Sequence, residues 1–325
     1  MSDAAIAVDL GGTNIRAALV TRDGAIRHLI RRPTLAQEGP EAVIDRIVAL
    51  ITEVADREGA DTSIPIGLSA PGPLNPIAGV VYFATNMPGW DDIPIRDILQ
   101  QRTQRAVMIG NDGNNAALGE AMFGVARGVQ HMIYIALGTG VGGGIISHGQ
   151  LIEGTRGLGG EVGHVSIDPS GPRCHCGGIG CVEAYAAGWA IARDGELLVH
   201  SERSRTIAEI AAGGPITAAV VAEAARAGDP AARAVYERAG RALGVGLAGF
   251  VNLFNPEMIV LGGGVAESAD LLLDALRETL PRYAMAQIYP DVRIERSALG
   301  AHTGIVGAAA RVFYTESGNL GAPSA

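Results

Sequence analysis

Two stretches of this chain repeat one another, and the repeat limits the fold more than any other feature. The first reads Ile6-Ala7-Val8-Asp9-Leu10, turns at Gly11-Gly12-Thr13, continues as an apolar run over 15–20 and closes at Asp23-Gly24. The second runs over 133–137, turns at Gly138-Thr139-Gly140, continues over 141–147 and closes at His148-Gly149. Apolar runs around glycine spell strand, turn and strand, and Asp-Gly is a strong hairpin signal. The matched pair predicts a duplicated α/β unit. Between the copies the pattern predicts a helix over 39–58, a strand over 64–68, an irregular Pro/Gly segment over 69–76, a short helix over 94–102 and a strand over 106–109. A helix is expected to begin near Asn114, since Asp and Asn cap well. Alanine-rich helices are expected over 184–193, 216–226 and 231–253, and a strand over 257–261 that meets Gly262-Gly263-Gly264. The small, polar tail from Thr315 is expected to be loose.

Composition narrows the chemistry. The chain has 325 residues, 48% of them hydrophobic, enough for more than one core. Its net charge of -9 argues against a nucleic-acid surface, which needs a basic stripe. All 25 basic side chains are Arg, so Schiff-base, Walker A and protein-kinase lysines are excluded together. The opening Met1-Ser2-Asp3 lacks the basic region of a secretory leader. The apolar run over 132–147 is broken by glycines and reads as strands, not a membrane span. Three cysteines fall in one window, 174–181, an arrangement that in a reducing cytoplasm holds metal more often than it forms disulfides.

Three glycine turns, Gly11-Gly12-Thr13, Gly138-Thr139-Gly140 and Gly262-Gly263-Gly264, each follow an apolar strand. Glycine lets main-chain N–H groups approach phosphate closely, and Thr13 and Thr139 add hydroxyls. The alternative is three tight turns without a ligand. Residues 138–143 also fit G-x-G-x-x-G, but a β-rich segment follows where a dinucleotide site needs a helix. Asp9 and Asp112 stand at or just past strand ends. Phosphoryl transfer to an alcohol depends on positioning, charge neutralisation and one carboxylate that takes the hydroxyl proton. A carboxylate of ordinary pKa suffices when proton transfer is late. Asp112 fits that base, with Asn111 beside it for a second sugar hydroxyl; a plain helix N-cap is the alternative for Asp112. Asp9 fits the Mg²⁺ side, acting through water.

His164 followed by Cys174, Cys176 and Cys181 makes a Cys₃His set, a common closed zinc site with no open position for catalysis, so the zinc is read as structural. His175 is an alternative fourth ligand, and reduced metal-free thiols an alternative to the site. Glu161 and Glu183 flank the set, Glu161 on a segment over 158–163 too glycine-rich to predict as a helix. They suit sugar hydroxyls, or else are solvated surface groups.

These residues resemble the ROK family of repressors and sugar kinases over nearly the whole chain. Asp9-Leu-Gly-Gly-Thr13-Asn-Ile-Arg16 resembles its first phosphate motif, and Gly110-Asn111-Asp112-Gly113-Asn114 its catalytic segment. Gly160-Glu161-Val-Gly-His164 with Cys174-His-Cys176-Gly-Gly-Ile-Gly-Cys181-Val-Glu183 is similar to its zinc and sugar signature. The resemblance implies an α/β fold of the acetate-kinase/Hsp70/actin (ribonuclease H-like) type: two domains, 1–118 and 119–303, with a helix near 304–314 returning to the first, and a central cleft that closes on sugar and ATP. It implies Asp112 as catalytic base, with Gly72, Thr85, Asn111, Asp112, Glu161, His164 and Glu183 on the sugar. It places ATP at Gly138 to Gly140 and Gly262 to Gly264, in a chain that forms homodimers or homotetramers. The segment 85–90 is similar to the glucokinase members, and Pro73 stands where N-acetylmannosamine kinases tend to have Arg. The acidic residue usual near Ala301-His302-Thr303 is absent.

The expected activity is therefore ATP-dependent phosphorylation of a hexose at its 6-hydroxyl, as in glycolysis. Glucose leads, ahead of N-acetylglucosamine, N-acetylmannosamine and fructose, and polyphosphate remains open as donor. A repressor of the family would need a helix-turn-helix domain, for which the eight residues before Asp9 are too few. A ribokinase-type enzyme would need a Gly-Ala-Gly-Asp motif that is missing. A dehydrogenase would leave the cysteines and Asp112 unexplained. A sugar-binding regulator without kinase activity is the remaining alternative.

Overall fold

The computed structural model describes residues 2–84 and 87–320. They divide into two compact units: Met1–Tyr134, Gly144–Gly160 and Ser297–Ala325 in the first, Ile135–Gly143 and Glu161–Arg296 in the second.

The first unit is built on β1 (Ala4–Leu10), β2 (Asn14–Thr21) and β3 (Ile26–Pro33), followed by α1 (Pro40–Glu58) and β4 (Ile66–Ala70). A small antiparallel sheet of β5 (Leu74–Asn75), β6 (Val80–Phe83) and β7 (Asp91–Ile93) comes next. Then follow α2 (Ile95–Thr103), β8 (Val107–Asn111) and α3 (Asp112–Phe123). The main sheet runs β3-β2-β1-β4-β8, with β1 antiparallel to β2 and parallel to β4, and β4 parallel to β8.

The two-residue period of β1 decides what covers each face. Ile6, Val8 and Leu10 point into a core shared with Val43, Ile47, Leu50, Ile51 and Val54 of α1. The small Ala5 and Ala7 point the other way, against Ile305, Ala308, Ala309, Val312 and Phe313 of the C-terminal helix Thr303–Ser317. Small residues on that face let the helix lie close. At the helix end Gly318 is left-handed (φ 76°) and its N–H returns to Tyr314 O, while Glu316 binds Arg22 at 2.8 Å. The tail expected to be loose from Thr315 is thus helical through Ser317.

A second sheet is formed from β9 (Met132–Leu137), β10 (Val141–Ser147), β11 (Gln150–Leu151), β12 (Met258–Gly262) and β13 (Arg293–Arg296), in the order β11-β10-β9-β12-β13. The chain leaves the first unit within β9 and re-enters it within β10. The helices of the second unit are α4 (Glu183–Ala186), α5 (Gly188–His200), α6 (Arg205–Ala211), α7 (Ala218–Arg226), α8 (Pro230–Phe254) and α9 (Leu273–Tyr283); the helix Thr303–Ser317 is α10. The single helix expected over 184–193 is broken at Ala187, where the backbone is extended and Gly188 N–H turns to Gly138 O at 2.8 Å. Among the described residues no helix is long and apolar enough to cross a membrane.

Candidate active site

In the first unit the strand ends gather the predicted groups. The register aligns Asp9 of β1 with Ser69 of β4, and Ser69 with Gly110 of β8, so Asp9 and the Asn111-Asp112 segment share one edge of the sheet. The β1–β2 hairpin sets Arg16 opposite Asp9, and both its Nε (2.9 Å) and Nη2 converge on Asp9 Oδ2. Burial lifts the Asp9 carboxyl above the ordinary carboxylate range, and the Arg16 guanidinium pulls it back. Arg16 also donates through Nη1 to Ala301 O, inside the stretch that lacks the expected acid. Arg16 carries no signal of its own in the sequence beyond its place in the first phosphate motif; the hairpin register makes it the cross-strand partner of Asp9. Gly11 N–H bonds Asn14 O at 3.0 Å and the buried Thr34 holds Thr13 O from N–H at 2.9 Å, leaving Gly12 and Thr13 exposed.

Asn111 caps α3: its Oδ1 accepts from Gly113 N–H at 2.9 Å and Asn114 N–H at 3.4 Å, while Nδ2 donates to Gly72 O at 3.2 Å. The helix therefore starts at Asp112, two residues before the expected start, and the capping side chain is Asn111, not Asp112. Asp112 is exposed on the first turn, where one carboxylate oxygen also meets Gly113 N–H at 2.8 Å. Gly72 joins this group through its carbonyl. Thr85 lies outside the described residues.

In the second unit, Gly138 N–H closes on Gly140 O at 2.9 Å, and the first amides of α5 bind the turn from behind, Gly188 to Gly138 O and Trp189 to Thr139 O. The other glycine turn is its neighbour: a Cβ on Gly263 would stand 2.4 Å from Leu137 O, at the residue before Gly138. Thr139, Gly263 and Gly264 are exposed, while Gly262 is buried as the last residue of β12.

Glu183 reaches the same turn. It is 8% exposed, so it is not a solvated surface group; Oε2 accepts from Val141 N–H at 2.9 Å and Oε1 lies 3.4 Å from Cys174 Sγ. Glu161 is half-exposed at the head of a 3₁₀ turn, Val162–His164, and faces His164 Nε2 at 4.0 Å. Burial raises its carboxyl, His164 lowers it and Glu183 raises it again.

The ligand atoms of His164, Cys174, Cys176 and Cys181 lie within 4.8 Å of one another. A tetrahedral zinc with sulfurs at about 2.3 Å sets them about 3.8 Å apart. Cys176 Sγ and Cys181 Sγ are 3.7 Å apart, and Cys174 Sγ is 3.7 Å from His164 Nδ1, so the donor set fits the ion. With Nδ1 toward Cys174, His164 turns Nε2 toward the Glu161 carboxylate, 4.0 Å away. His175 instead stacks on Trp189, ring centroids 4.0 Å apart, outside the cluster.

A family model described as the ROK family matches residues 5–313, a span that holds every motif above. The chain is 40% identical over 309 residues to a glucokinase of Thermotoga maritima, covering 94% of this chain and 95% of that protein. The structure of a ROK hexokinase from Thermus thermophilus superposes with a TM-score of 0.82 at 34% identity, covering 97% of this chain and all of the other. A ROK family glucokinase from Streptomyces griseus, in complex with glucose and AMPPNP, gives a TM-score of 0.80 at 35% identity over 94% of this chain and 98% of the other. The α/β architecture is that of the actin-like sugar kinases, and the chain belongs to the ROK family.

Proposed function

We propose that this chain is an ATP-dependent hexokinase that phosphorylates glucose at its 6-hydroxyl. The observation that carries the reading is the exposed carboxylate of Asp112 at the end of β8, held on the first turn of α3 by the Asn111 cap. Asp112 takes the proton of the sugar hydroxyl as the oxygen lone pair attacks the γ-phosphorus. The bond from that phosphorus to the β-phosphate bridging oxygen breaks, and ADP leaves. Asn111 holds a neighbouring hydroxyl through the remaining N–H of its Nδ2, and Gly72, Thr85, Glu161, His164 and Glu183 hold others. The exposed residues Gly12, Thr13, Thr139, Gly263 and Gly264 receive phosphate groups on their amides, with Gly11, Gly138, Gly140 and Gly262 setting their turns.

Two metal ions belong to this reading. Asp9, steadied by Arg16, would hold Mg²⁺ through water, and that ion would neutralise charge on the transferring phosphate. His164, Cys174, Cys176 and Cys181 would hold a structural zinc. Zinc held there would deprotonate its cysteines; Cys174 would then no longer donate to Glu183, and Oε1 of that buried carboxylate would be left to accept from a sugar hydroxyl.

The test is ADP release with ATP and a panel of glucose, N-acetylglucosamine, N-acetylmannosamine and fructose, with polyphosphate as a second donor and phosphorus NMR of the product. Glucose with ATP, giving the 6-phosphate, is the expected best pair. Sugar binding without ADP release from any hexose would favour a non-catalytic regulator. Light scattering of the same sample reads the homodimer or homotetramer that the family resemblance implies.

A further inference from the structure

Arg311 of α10 is only 4% exposed, yet nothing in the reaction above uses it. Its Nη1 donates to Glu153 Oε2 at 3.1 Å and its Nη2 to Glu153 Oε1. The other side of the guanidinium lies against Gly110. A Cβ at that residue would stand 2.6 Å from Arg311 Nε, 2.8 Å from Nη2 and 2.1 Å from Asn115 Oδ1. Asn115 is fully buried and its Nδ2 donates to Leu68 O and Gly110 O, both at 3.3 Å. The end of β8 thus packs, on the side a Cβ of Gly110 would occupy, against a planar cation and a carboxamide, one residue before the Asn111 cap. Glu153, in turn, accepts Gly159 N–H on its carbonyl at 2.8 Å, closing the loop over 153–159 that runs on to Glu161.

Stability alone is a poor reason to keep such a pair. Desolvating two charges offsets most of their attraction, and an apolar pair of similar volume often serves as well. What the pair adds is direction, because a guanidinium fork on a carboxylate fixes both partners in plane. We propose that Arg311 and Glu153 are positioning residues for phosphoryl transfer. Their ion pair sets Gly110, and through it the Asn111 cap and the Asp112 carboxylate, while it fixes the loop ahead of Glu161. The proposal rests on the hexokinase reading for its kinetic arm only.

The test compares the wild-type protein with the double variant Arg311→Met/Glu153→Leu and with Arg311→Lys. The double variant is expected to keep a denaturation midpoint close to wild type, yet lose on the order of 10²-fold in kcat/KM for glucose, as small misplacements near a reacting group do. Amide exchange at Gly113 and Asn114, the donors to Asn111, should speed up in the same variant. Arg311→Lys, which keeps the charge without the fork, should fall between the two. A folded double variant with wild-type kcat, KM and exchange overturns the proposal. If the double variant does not fold, wild-type kinetics and exchange in Arg311→Lys overturn it equally. If the wild-type protein phosphorylates no hexose, the hexokinase reading fails, and the exchange rates still decide whether Arg311 sets the cap.

Discussion

Two carboxylates of this chain look alike in sequence and differ in surroundings. Asp112 is exposed on a helix first turn, whereas Glu183 is buried with Val141 N–H on one oxygen and Cys174 near the other. Glu183→Ala strands a buried N–H and should cost about 1–3 kcal/mol, read from the denaturant midpoint. A surface carboxylate would lose less than about 0.5 kcal/mol, so a loss that small contradicts the assignment. Cys181→Ser should abolish the zinc binding proposed for this cluster, lower the melting temperature and raise the KM for glucose; metal content by atomic emission equal to that of the wild type would exclude the cluster as a zinc site. The cysteine spacing made the cluster legible from sequence. The bond from Glu183 to Val141 was not, because nothing local links residues that far apart in the chain.

Elements were legible where their period is strong and their ends carry punctuation. α1 begins at Pro40 and ends before a left-handed Gly59, close to the predicted 39–58. The segment Gly-Asn-Asp-Gly-Asn-Asn offers several residues that cap well, and the choice fell to the sheet. Pairing of Ala70 with Asn111 carries β8 through Asn111, so α3 must start directly after it. β5 to β7 leave no clear period because they are two to four residues long and the segments joining them carry Pro and Gly. α8 offers a clean cap test: Asp229, 8% exposed, accepts from Ala231 and Ala232 N–H and from Ser204 Oγ. Burial opposes its charge, but these donors outweigh it and hold the carboxyl below the usual range. A depressed carboxyl contributes stability above its unfolded pKa and loses it as pH falls through the folded value. Asp229→Ala should therefore cost about 1–2 kcal/mol at neutral pH. The gap should shrink as pH falls below about 4; a gap that stays constant down to pH 2 would show that the carboxylate charge contributes nothing.

At the scale of the whole molecule, the duplicated strand–turn–strand pattern announced two α/β units, and two compact units are found. Their boundaries were not legible, since the chain passes between them inside β9 and β10, within continuous apolar runs. A ligand that binds only the folded chain stabilises it by mass action, so glucose at a hundredfold its Kd should add about 2.7 kcal/mol. A pentose that the chain does not bind should add nothing, and equal shifts with both would deny a hexose site. The central claim is that the Asp112 carboxylate takes the proton of a sugar hydroxyl. It is met most directly by measuring turnover with ATP and glucose together with calorimetric glucose binding in Asp112→Asn. Turnover should fall by about 10²–10⁴-fold with glucose affinity little changed. Turnover close to wild type, or turnover and affinity lost in equal measure, would contradict it.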